Sequence, residues 1–195
     1  MFYEVEVKSH IRVPPELFKV DTQQAILERL KSQFENFVSP EIGIAIAVTE
    51  IIKVGEGIII PGDGAPYYDT AFKMLVFKPE MQELVSGKIT EITDFGCFMN
   101  IGPIDGMIHV SQAMDDFVSF SKSNILTGKE TKRTLKVGDI CKARIIAVSY
   151  KDVTNPKIGL TMRQPVLGKE EWLENEKKEV EVKVKEKEKK NEKSM

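Results

Sequence analysis

Cysteine, histidine and long apolar runs are all scarce in this chain, and each scarcity excludes a class of protein. The two cysteines, Cys97 and Cys141, have no Cys-x-x-Cys spacing, so they suit neither a disulfide framework nor a zinc site, and we predict reduced core residues. No apolar run reaches the roughly 18 residues of a membrane-spanning helix, and residues 1–13 alternate charged with apolar residues. We therefore expect a soluble, cytoplasmic protein without a membrane partner.

Positive charge is also scarce outside the C-terminus. The formal net charge is −2, but residues 177–195 hold eight Lys and five Glu, which leaves −5 for residues 1–176. A protein that held nucleic acid by bulk counterion release would be basic over its whole body. Any RNA binding here must therefore come from a local face.

Periodicity predicts a small α+β domain over residues 1–80, of the truncated RNP-like kind. Residues 3–13 alternate as a half-buried strand, and Asp21 begins an amphipathic helix that ends before Pro40. Residues 42–54 are apolar on both faces, which is typical of a central strand covered on each side. A glycine-rich turn and a further strand complete the order strand, helix, strand, turn, strand.

The sequence after this domain changes to an all-β pattern. Five short strands are predicted around a long polar segment at 115–136, and such a set is typical of a five-stranded OB-fold β-barrel. The predicted strands are 84–93, 95–101, 105–110, 139–149 and 157–163. We assign this domain to residues 81–178, including a C-terminal helix at 168–178, and predict a charged disordered tail at 179–195.

The sequence shows no grouping that suits catalysis or metal binding. His10 and His109 lie in different predicted domains, and neither stands in a metal motif or beside a nucleophile elbow. The glycine-rich "VGEGIIIPGDG" lacks the Lys-Ser/Thr ending of a phosphate loop. Asp115 and Asp116 are predicted as a solvated turn, because adjacent side chains on a strand or helix point apart. We expect no catalytic residue, no metal and no cofactor in this chain.

The stretch "DFGCFMNIGPIDGMIHVSQ" instead favours a binding surface. Phe95 and Phe98 flank Gly96 on one predicted strand, and His109 ends the next, so three flat rings can lie on one side of a barrel. Bases stack on such rings with about 1–3 kcal/mol each. The alternative is that both phenylalanines pack in the barrel core. Gly96 favours the binding surface, since glycine lets a ligand approach the backbone.

A basic strand face is the second predicted element of this surface. Lys142 and Arg144 stand two apart in "ICKARIIAV", so they share one face of a strand. Their cationic groups are suited to contact phosphates. Rings and cations together predict single-stranded nucleic acid as the ligand.

The segment "GKITEITDFGCFMNIGPIDGMIHVSQ" closely resembles the RNA-binding OB domain first described in ribosomal protein S-one. The shared features are a glycine that opens the first strand, a Phe-Gly-x-Phe element and Asp-Gly-x-x-His-x-Ser. The resemblance implies that RNA meets the two phenylalanines and the histidine. Many members also carry an Asp ending the fourth strand and an Arg opening the fifth, where this chain has Ser149 and Lys157. The residues predicted to bind RNA are Phe95, Phe98, His109, Lys142, Arg144 and Lys157.

The segments around this barrel resemble a family of transcription proteins, the archaeal RNA polymerase stalk subunits called E-prime. These segments are "RVPPELF", "VGEGIIIPGDGAPYYD", "FKPEMQELVSGKI", "MDDFVSF" and "GLTMRQPVLGK". The eukaryotic counterpart is the seventh subunit of RNA polymerase II. The resemblance runs from Met1 to about Trp172. It implies a noncatalytic subunit of DNA-directed RNA polymerase, a nucleotidyltransferase complex.

The same resemblance implies partners and a docking site. Members pair with a smaller helical RNA polymerase subunit called F, dock on the polymerase core near the clamp through the glycine-rich tip, and bind nascent single-stranded RNA. They support DNA opening, together with initiation factor E, and processive elongation. An exposed apolar tip is consistent with a plug for another protein's pocket. The residues predicted to dock on the core are Gly55, Gly57, Ile59, Pro61, Gly62, Asp63 and Gly64.

The residues alone leave a second function open, a free-standing OB-fold RNA-binding factor in translation or RNA decay. Such a factor would use the same barrel without needing the glycine-rich tip. Deletion of Gly55–Gly64 would then leave its activity intact. That deletion distinguishes the two functions.

Overall fold

The chain divides into two compact units in a computed structural model of the protein. The residues that the structure describes are 1–121, 124–151 and 156–175. The first unit is Met1–Pro79 together with Tyr150–Pro156, and the second is Glu80–Ser149 with the chain from Lys157 onward. Within the described ranges, no helix is long and apolar enough to cross a membrane.

The first unit is a four-stranded antiparallel sheet with one helix packed on it. Its elements are β1 (Phe2–Arg12), α1 (Thr22–Phe34), β2 (Val38–Ser39), β3 (Gly43–Ile59) and β4 (Pro66–Phe77), with a short 3-10 helix at Pro15–Leu17. The strands pair in the order β1-β4-β3-β2. Strand, helix, strand and strand thus follow one another as predicted, and the α+β class is confirmed.

Helix α1 begins at the residue that the sequence indicated. Asp21 is the N-cap, and its carboxylate accepts a hydrogen bond of 3.1 Å from the backbone N–H of Gln23. The helix buries Ala25, Ile26 and Leu30 against the sheet. Its end was predicted too late, because β2 already occupies Val38–Ser39 and pairs with the start of β3.

Strand β3 lies inside the sheet, between β4 and β2, but it is not covered on both faces as we predicted. Strand β4 is flanked by β1 and β3 along its length, whereas β2 pairs with β3 only at Gly43 and Ile44. Register shifts interrupt β3 at four points. Each shift inserts an extra residue and so changes which side chains face the core. The core-facing apolar residues therefore recur at steps of three, namely Ala45, Val48, Ile51 and Val54. The continuous apolar run reflects these bulges and not two buried faces.

The second unit is built around a closed five-stranded barrel. Its strands are β5 (Leu84–Ile92), β6 (Gly96–Asn100), β7 (Asp105–His109), β8 (Val118–Ser121), β9 (Ile125–Gly128), β10 (Thr134–Lys136), β11 (Ile140–Ser149), β12 (Lys157–Thr161) and β13 (Gly168–Lys169). Strands β7, β6, β5 and β11 pair antiparallel in that order. Strand β12 closes the barrel, since it pairs antiparallel with β11 and parallel with β7. The predicted OB-type barrel is confirmed.

Side chains alternate between the interior and the exterior of the barrel along each strand. On β6 the interior residues are Cys97 and Met99, both fully buried, while Phe98 between them faces outward. On β11 the sequence alternates in the same way, with Cys141 and Ala143 inside. Both cysteines are free and buried, as predicted, and burial raises the pKa of each thiol to about 12. Neither is therefore a reactive thiolate at neutral pH.

The polar segment 115–136 has more structure than we predicted. Strands β8, β9 and β10 form a separate three-stranded sheet in the order β10-β9-β8. Leu126 and Leu135 on this sheet are fully buried. Strands of three or four residues are too short for an alternating pattern to stand out. The helix predicted at 168–178 begins later, at residue 170, because Gly168–Lys169 form β13 and pair with β11. Residues 170–175 are helical, and residues 176–178 and the predicted tail lie outside the described residues.

Candidate nucleic-acid interface

The three predicted rings lie on the outside of the barrel, on β6, β7 and the turn before β6. Phe95 is 46% exposed, Phe98 is half-buried and His109 is exposed. The Phe95 and Phe98 rings meet edge to face, with centroids 6.2 Å apart and an interplanar angle of 85°. The alternative, that these phenylalanines form the barrel core, does not hold. We call Phe95, Phe98 and His109 the ring group.

Strand pairing brings the members of the ring group together. Gly96 is the cross-strand partner of His109, and Phe98 is the partner of Met107, so these residues share the outer face. The backbone N–H of Val110 donates to the carbonyl oxygen of Phe95 at 2.9 Å, which holds the turn before β6 against the end of β7. A Cβ atom at Gly96 would overlap the carbonyl oxygen of Ile108. Glycine therefore permits the close strand approach on which the ring group depends.

Local hydrogen bonds orient His109. Its Nδ1 accepts a hydrogen bond of 3.3 Å from the backbone N–H of Ser111 and lies 2.8 Å from the Ser111 hydroxyl. Since a backbone N–H can only donate, Nδ1 carries a lone pair, and the proton of the neutral ring sits on Nε2. His109 also caps the 3-10 helix Val110–Gln112. The imidazole is thus held in one tautomer with an N–H donor at Nε2.

The predicted cations on β11 do not lie beside the ring group. Lys142 and Arg144 do share the outer face of β11, as expected from their spacing. In the closed order β12-β7-β6-β5-β11, however, β11 lies two strands from β6 in one direction and two strands from β7 in the other. Two strand spacings are about 10 Å along the barrel wall, which curves away between them. A ligand on the rings would have to wrap round the barrel to reach these cations.

Lys157 opens β12, at the other end of the wall from His109. The pair Ile158 and Gly106 follows it directly, so Lys157 lies at the Asp105 end of β7. Its cross-strand partner on β11 is Ser149. The two residues that stand where many S-one-type domains carry Asp and Arg are therefore direct neighbours, about four residues or 13 Å along the strand from the His109 level.

The glycine-rich tip is the turn between β3 and β4, and its isoleucines are exposed. Strand β3 runs through the predicted tip to Ile59, which pairs with Pro66. Ile59 is 68% exposed, and Ile58 and Ile60 are also open to solvent. Gly62 in the turn has a φ of +93°, a conformation that suits glycine. Gly55, Gly57, Pro61 and Gly64 lie on this same hairpin.

Asp63 holds this tip through two partners that sequence reasoning missed. Its carboxylate accepts two hydrogen bonds from the Arg12 guanidinium, at 2.7 and 2.9 Å, and one of 2.8 Å from the Tyr67 hydroxyl. These bonds, that from Arg12 first, lower the pKa of Asp63 well below its usual range. Arg12 is 51 residues away in the sequence, so no local signal pointed to it. We call Arg12, Asp63 and Tyr67 the tip clamp.

Comparisons with known proteins agree with both parts of the fold. A family model described as "SHS2 domain found in N terminus of Rpb7p/Rpc25p/MJ0397" matches residues 8–64, and one described as "S1 RNA binding domain" matches residues 78–161. The chain is 36% identical to DNA-directed RNA polymerase subunit Rpo7 of Sulfolobus acidocaldarius over 177 residues, or 90% of this chain and 97% of that protein. The chain belongs to the Rpo7 family.

Other members of the Rpo7 family and a eukaryotic relative show the same relationship. Rpo7 of Saccharolobus solfataricus is 35% identical over 181 residues, which is 91% of this chain and all of that protein. RNA polymerase III subunit RPC8 of Saccharomyces cerevisiae is 34% identical over 114 residues, 58% of this chain and 54% of that one. The predicted resemblance is confirmed, and the full-length match to polymerase subunits favours that assignment over a free-standing factor.

The described part of this Rpo7-family chain offers binding surfaces and not a metal centre. Within those residues, no group of three or more His, Cys, Asp or Glu side chains is arranged to hold a metal ion. The Asp115 carboxylate is 3.0 Å from Arg163, and Asp116 is bonded to backbone N–H groups. What the arrangement provides is an aromatic surface on the barrel and an apolar tip on the first unit.

Proposed function

We propose that this RNA polymerase subunit binds emerging single-stranded RNA through the ring group. The observation that carries the proposal is the position of three flat rings, two exposed and one half-buried, on the outer face of an S1 RNA-binding domain. The exposed rings offer stacking surface for bases, and the Nε2 donor of His109 suits a base edge or a phosphate. Because the folded body is acidic, binding by this local surface should be weak and only modestly dependent on salt.

We further propose that residues 1–80 dock on the polymerase core near the clamp, and that residues 81–178 present the RNA surface. The exposed isoleucines of the tip support the docking role, because burial of exposed aliphatic side chains in a protein pocket stabilises a complex. In this proposal the chain forms a heterodimer with the smaller helical polymerase subunit called F in the cytoplasm. It supports DNA opening, together with initiation factor E, and elongation.

The test of the RNA role removes the ring group from the full-length chain. We expect Phe95→Ala, Phe98→Ala and His109→Ala together to weaken binding of a fluorescent single-stranded RNA by about 10- to 100-fold, from stacking of about 1–3 kcal/mol per base. Fluorescence anisotropy measures this affinity. The melting temperature should stay within a few degrees, because these side chains lie outside the core.

Phe37→Ala is the matched control. Phe37 is 46% exposed, like Phe95, and also meets a second phenylalanine edge to face, Phe34 at 6.3 Å, but it lies in the first unit. It should leave RNA affinity unchanged. Equal RNA affinity for the control and the triple variant would refute the proposed RNA surface.

A further inference from the structure

We propose that the small sheet β8–β10 carries a second RNA-binding surface, centred on Phe117. Phe117 is 75% exposed, more than any other large apolar side chain that the structure describes. The proposal rests on RNA binding at the ring group and extends the path of the same strand. We call Phe117, Ser119, Thr127, Lys129 and Lys132 the insert face.

Strand register places Phe117, Ser119, Thr127 and Lys129 on one side of the sheet, while Lys132 lies in the turn that follows Lys129. Ser119 pairs with Thr127, and Thr127 also pairs with Thr134, so hydroxyl groups line the outer face. The register continues to Phe117 and Lys129, whose backbones are joined by a hydrogen bond of 2.9 Å from the Lys129 N–H to the Phe117 carbonyl oxygen. The buried side chains Leu126 and Leu135 belong to the opposite face. Phe117 is therefore turned away from the apolar side of the sheet.

Asp116 ties the lysine-bearing turn to the backbone at Phe117. Its carboxylate accepts hydrogen bonds from the backbone N–H groups of Phe117, Glu130 and Thr131, the last two at 3.0 and 2.9 Å, and from the Thr131 hydroxyl at 2.9 Å. These bonds, the one from the Thr131 backbone first, lower the pKa of Asp116. Lys129 and Lys132 stand at the two ends of the turn so fixed. An exposed ring next to a turn that carries two lysines suits a base with its neighbouring phosphates.

The charge of this segment is opposite to that of the folded body. Residues 117–136 contain five Lys and Arg residues and one carboxylate, Glu130, whereas residues 1–176 together carry −5. Both lysines of the insert face are exposed. Single-stranded RNA matches this combination of cations, hydroxyl groups and one aromatic ring. A protein partner would be expected to bury more aliphatic surface than this face offers.

A cleft of about 380 Å³ is lined both by Phe117 of the insert face and by residues that follow His109 in the chain. Its lining includes Val110, Ser111, Phe117 and Val118. Ser111 is the residue that bonds to the His109 imidazole. Asp115, Asp116, Glu130 and Arg163 also line the cleft; Asp115 is paired with Arg163, and Asp116 is bonded to the turn. In this proposal a strand that leaves His109 passes Ser111 and follows the cleft to Phe117.

The first experiment compares a short and a long RNA on the full-length chain. A mixed-sequence RNA of about 5 nucleotides covers only the ring group, whereas one of about 16 nucleotides also covers the insert face. We expect Phe117→Ala to weaken binding of the long RNA by about 5- to 30-fold and to leave the short RNA unchanged. Phe18→Ala is the matched control, because Phe18 is also exposed, at 55%, but lies in the first unit.

The second experiment uses salt. Lys129→Gln with Lys132→Gln should lower the slope of log affinity against log salt for the long RNA by about 0.7 per lysine, as expected for phosphate contacts on a single strand. Lys19→Gln with Lys31→Gln, two exposed lysines of the first unit, should leave the slope unchanged. We expect all variants to fold, because each altered side chain is exposed, and melting curves verify this.

The outcomes separate this proposal from the RNA role of the ring group. If the ring-group variant binds neither RNA and Phe117→Ala changes the affinity for neither, only the proposal of the insert face would be overturned. Unchanged RNA binding in both variants would overturn both. Unchanged RNA affinity together with weaker copurification of the polymerase by Phe117→Ala would assign the face to a protein and contradict the proposal.

Discussion

The two units each expose apolar side chains, but of different chemistry. The tip of the first unit presents branched aliphatic residues, Ile58 to Ile60, on a hairpin held by the tip clamp. The second unit presents flat rings, with a histidine N–H donor beside them. Aliphatic side chains favour binding mainly because their burial removes apolar surface from water, whereas aromatic rings also stack on bases. The difference indicates that the tip suits a protein pocket and the ring group suits RNA.

The comparison predicts that the two surfaces can be inactivated separately, and the largest effect is expected at the tip. Ile58→Asp with Ile59→Asp should weaken copurification with the polymerase core at least about 100-fold, because docking would bury two unpaired carboxylates. RNA affinity should not change. Both side chains are exposed in the free protein, so its free energy of unfolding should change by less than about 1 kcal/mol.

Val166→Asp is the matched control for the tip. Val166 is a branched aliphatic residue that is 68% exposed, as Ile59 is. It lies in the second unit and is not part of the tip. It should retain binding to the core. A tip variant that still copurified with the polymerase like this control would show that the tip does not dock.

A smaller effect is expected from the tip clamp. Asp63→Asn removes the carboxylate charge to which Arg12 and Tyr67 donate hydrogen bonds. Amide hydrogen exchange should therefore become faster over residues 58–66, and binding to the polymerase core should become about 3- to 10-fold weaker. Asp69→Asn, which breaks the ion pair of 2.7 Å with Lys8 on the same sheet, should leave exchange at the tip unchanged. Equal exchange at the tip in both variants would mean that the clamp does not order it.

The same clamp has a defined dependence on pH. Because hydrogen bonds lower the pKa of Asp63 in the folded state, its contribution to stability is fully present above the ordinary Asp pKa of about 3.9 and is lost only as the pH falls below that value. Protection of the tip amides, corrected for intrinsic exchange rates, should therefore persist at about pH 4.5. Loss of protection between pH 7 and pH 5 would contradict this assignment.

The smallest effect is expected from the cations on the far wall of the barrel. Lys142→Gln with Arg144→Gln should weaken binding of a short RNA by less than about threefold, since β11 lies two strands from the ring group on either side. Anisotropy with the RNA of about 5 nucleotides measures this. A loss as large as that of the ring-group variant would show that RNA wraps round the barrel to β11.

Much of the fold follows from periodicity in the sequence. The alternation of β1, the cap at Asp21 and the five barrel strands are local patterns, and each is found where it was predicted. The prediction that both faces of β3 are buried was wrong, because bulges change which residues face the core without changing the composition of the strand. The small sheet β8–β10 was missed because its strands are only three or four residues long.

The candidate sites were predicted in part for the same reason. Phe95, Phe98 and His109 lie within fifteen residues on strands joined by one turn, so a local pattern placed them together. Lys142 and Arg144 were placed correctly on one face of a strand, but their distance from the rings depends on how the barrel closes. The insert face likewise depends on the register of three short strands and on the bonds of Asp116.

The sequence by itself determined the α+β domain followed by a barrel, the exposed tip and which three aromatic residues form the ring group. Each of these depends on spacing between near neighbours in the chain. Only the tertiary structure decided which distant residues meet, as Arg12 meets Asp63, and which side of the barrel each strand occupies. The physical reason is that hydrogen bonds and strand pairing act over a few ångströms in space, whatever the separation along the chain.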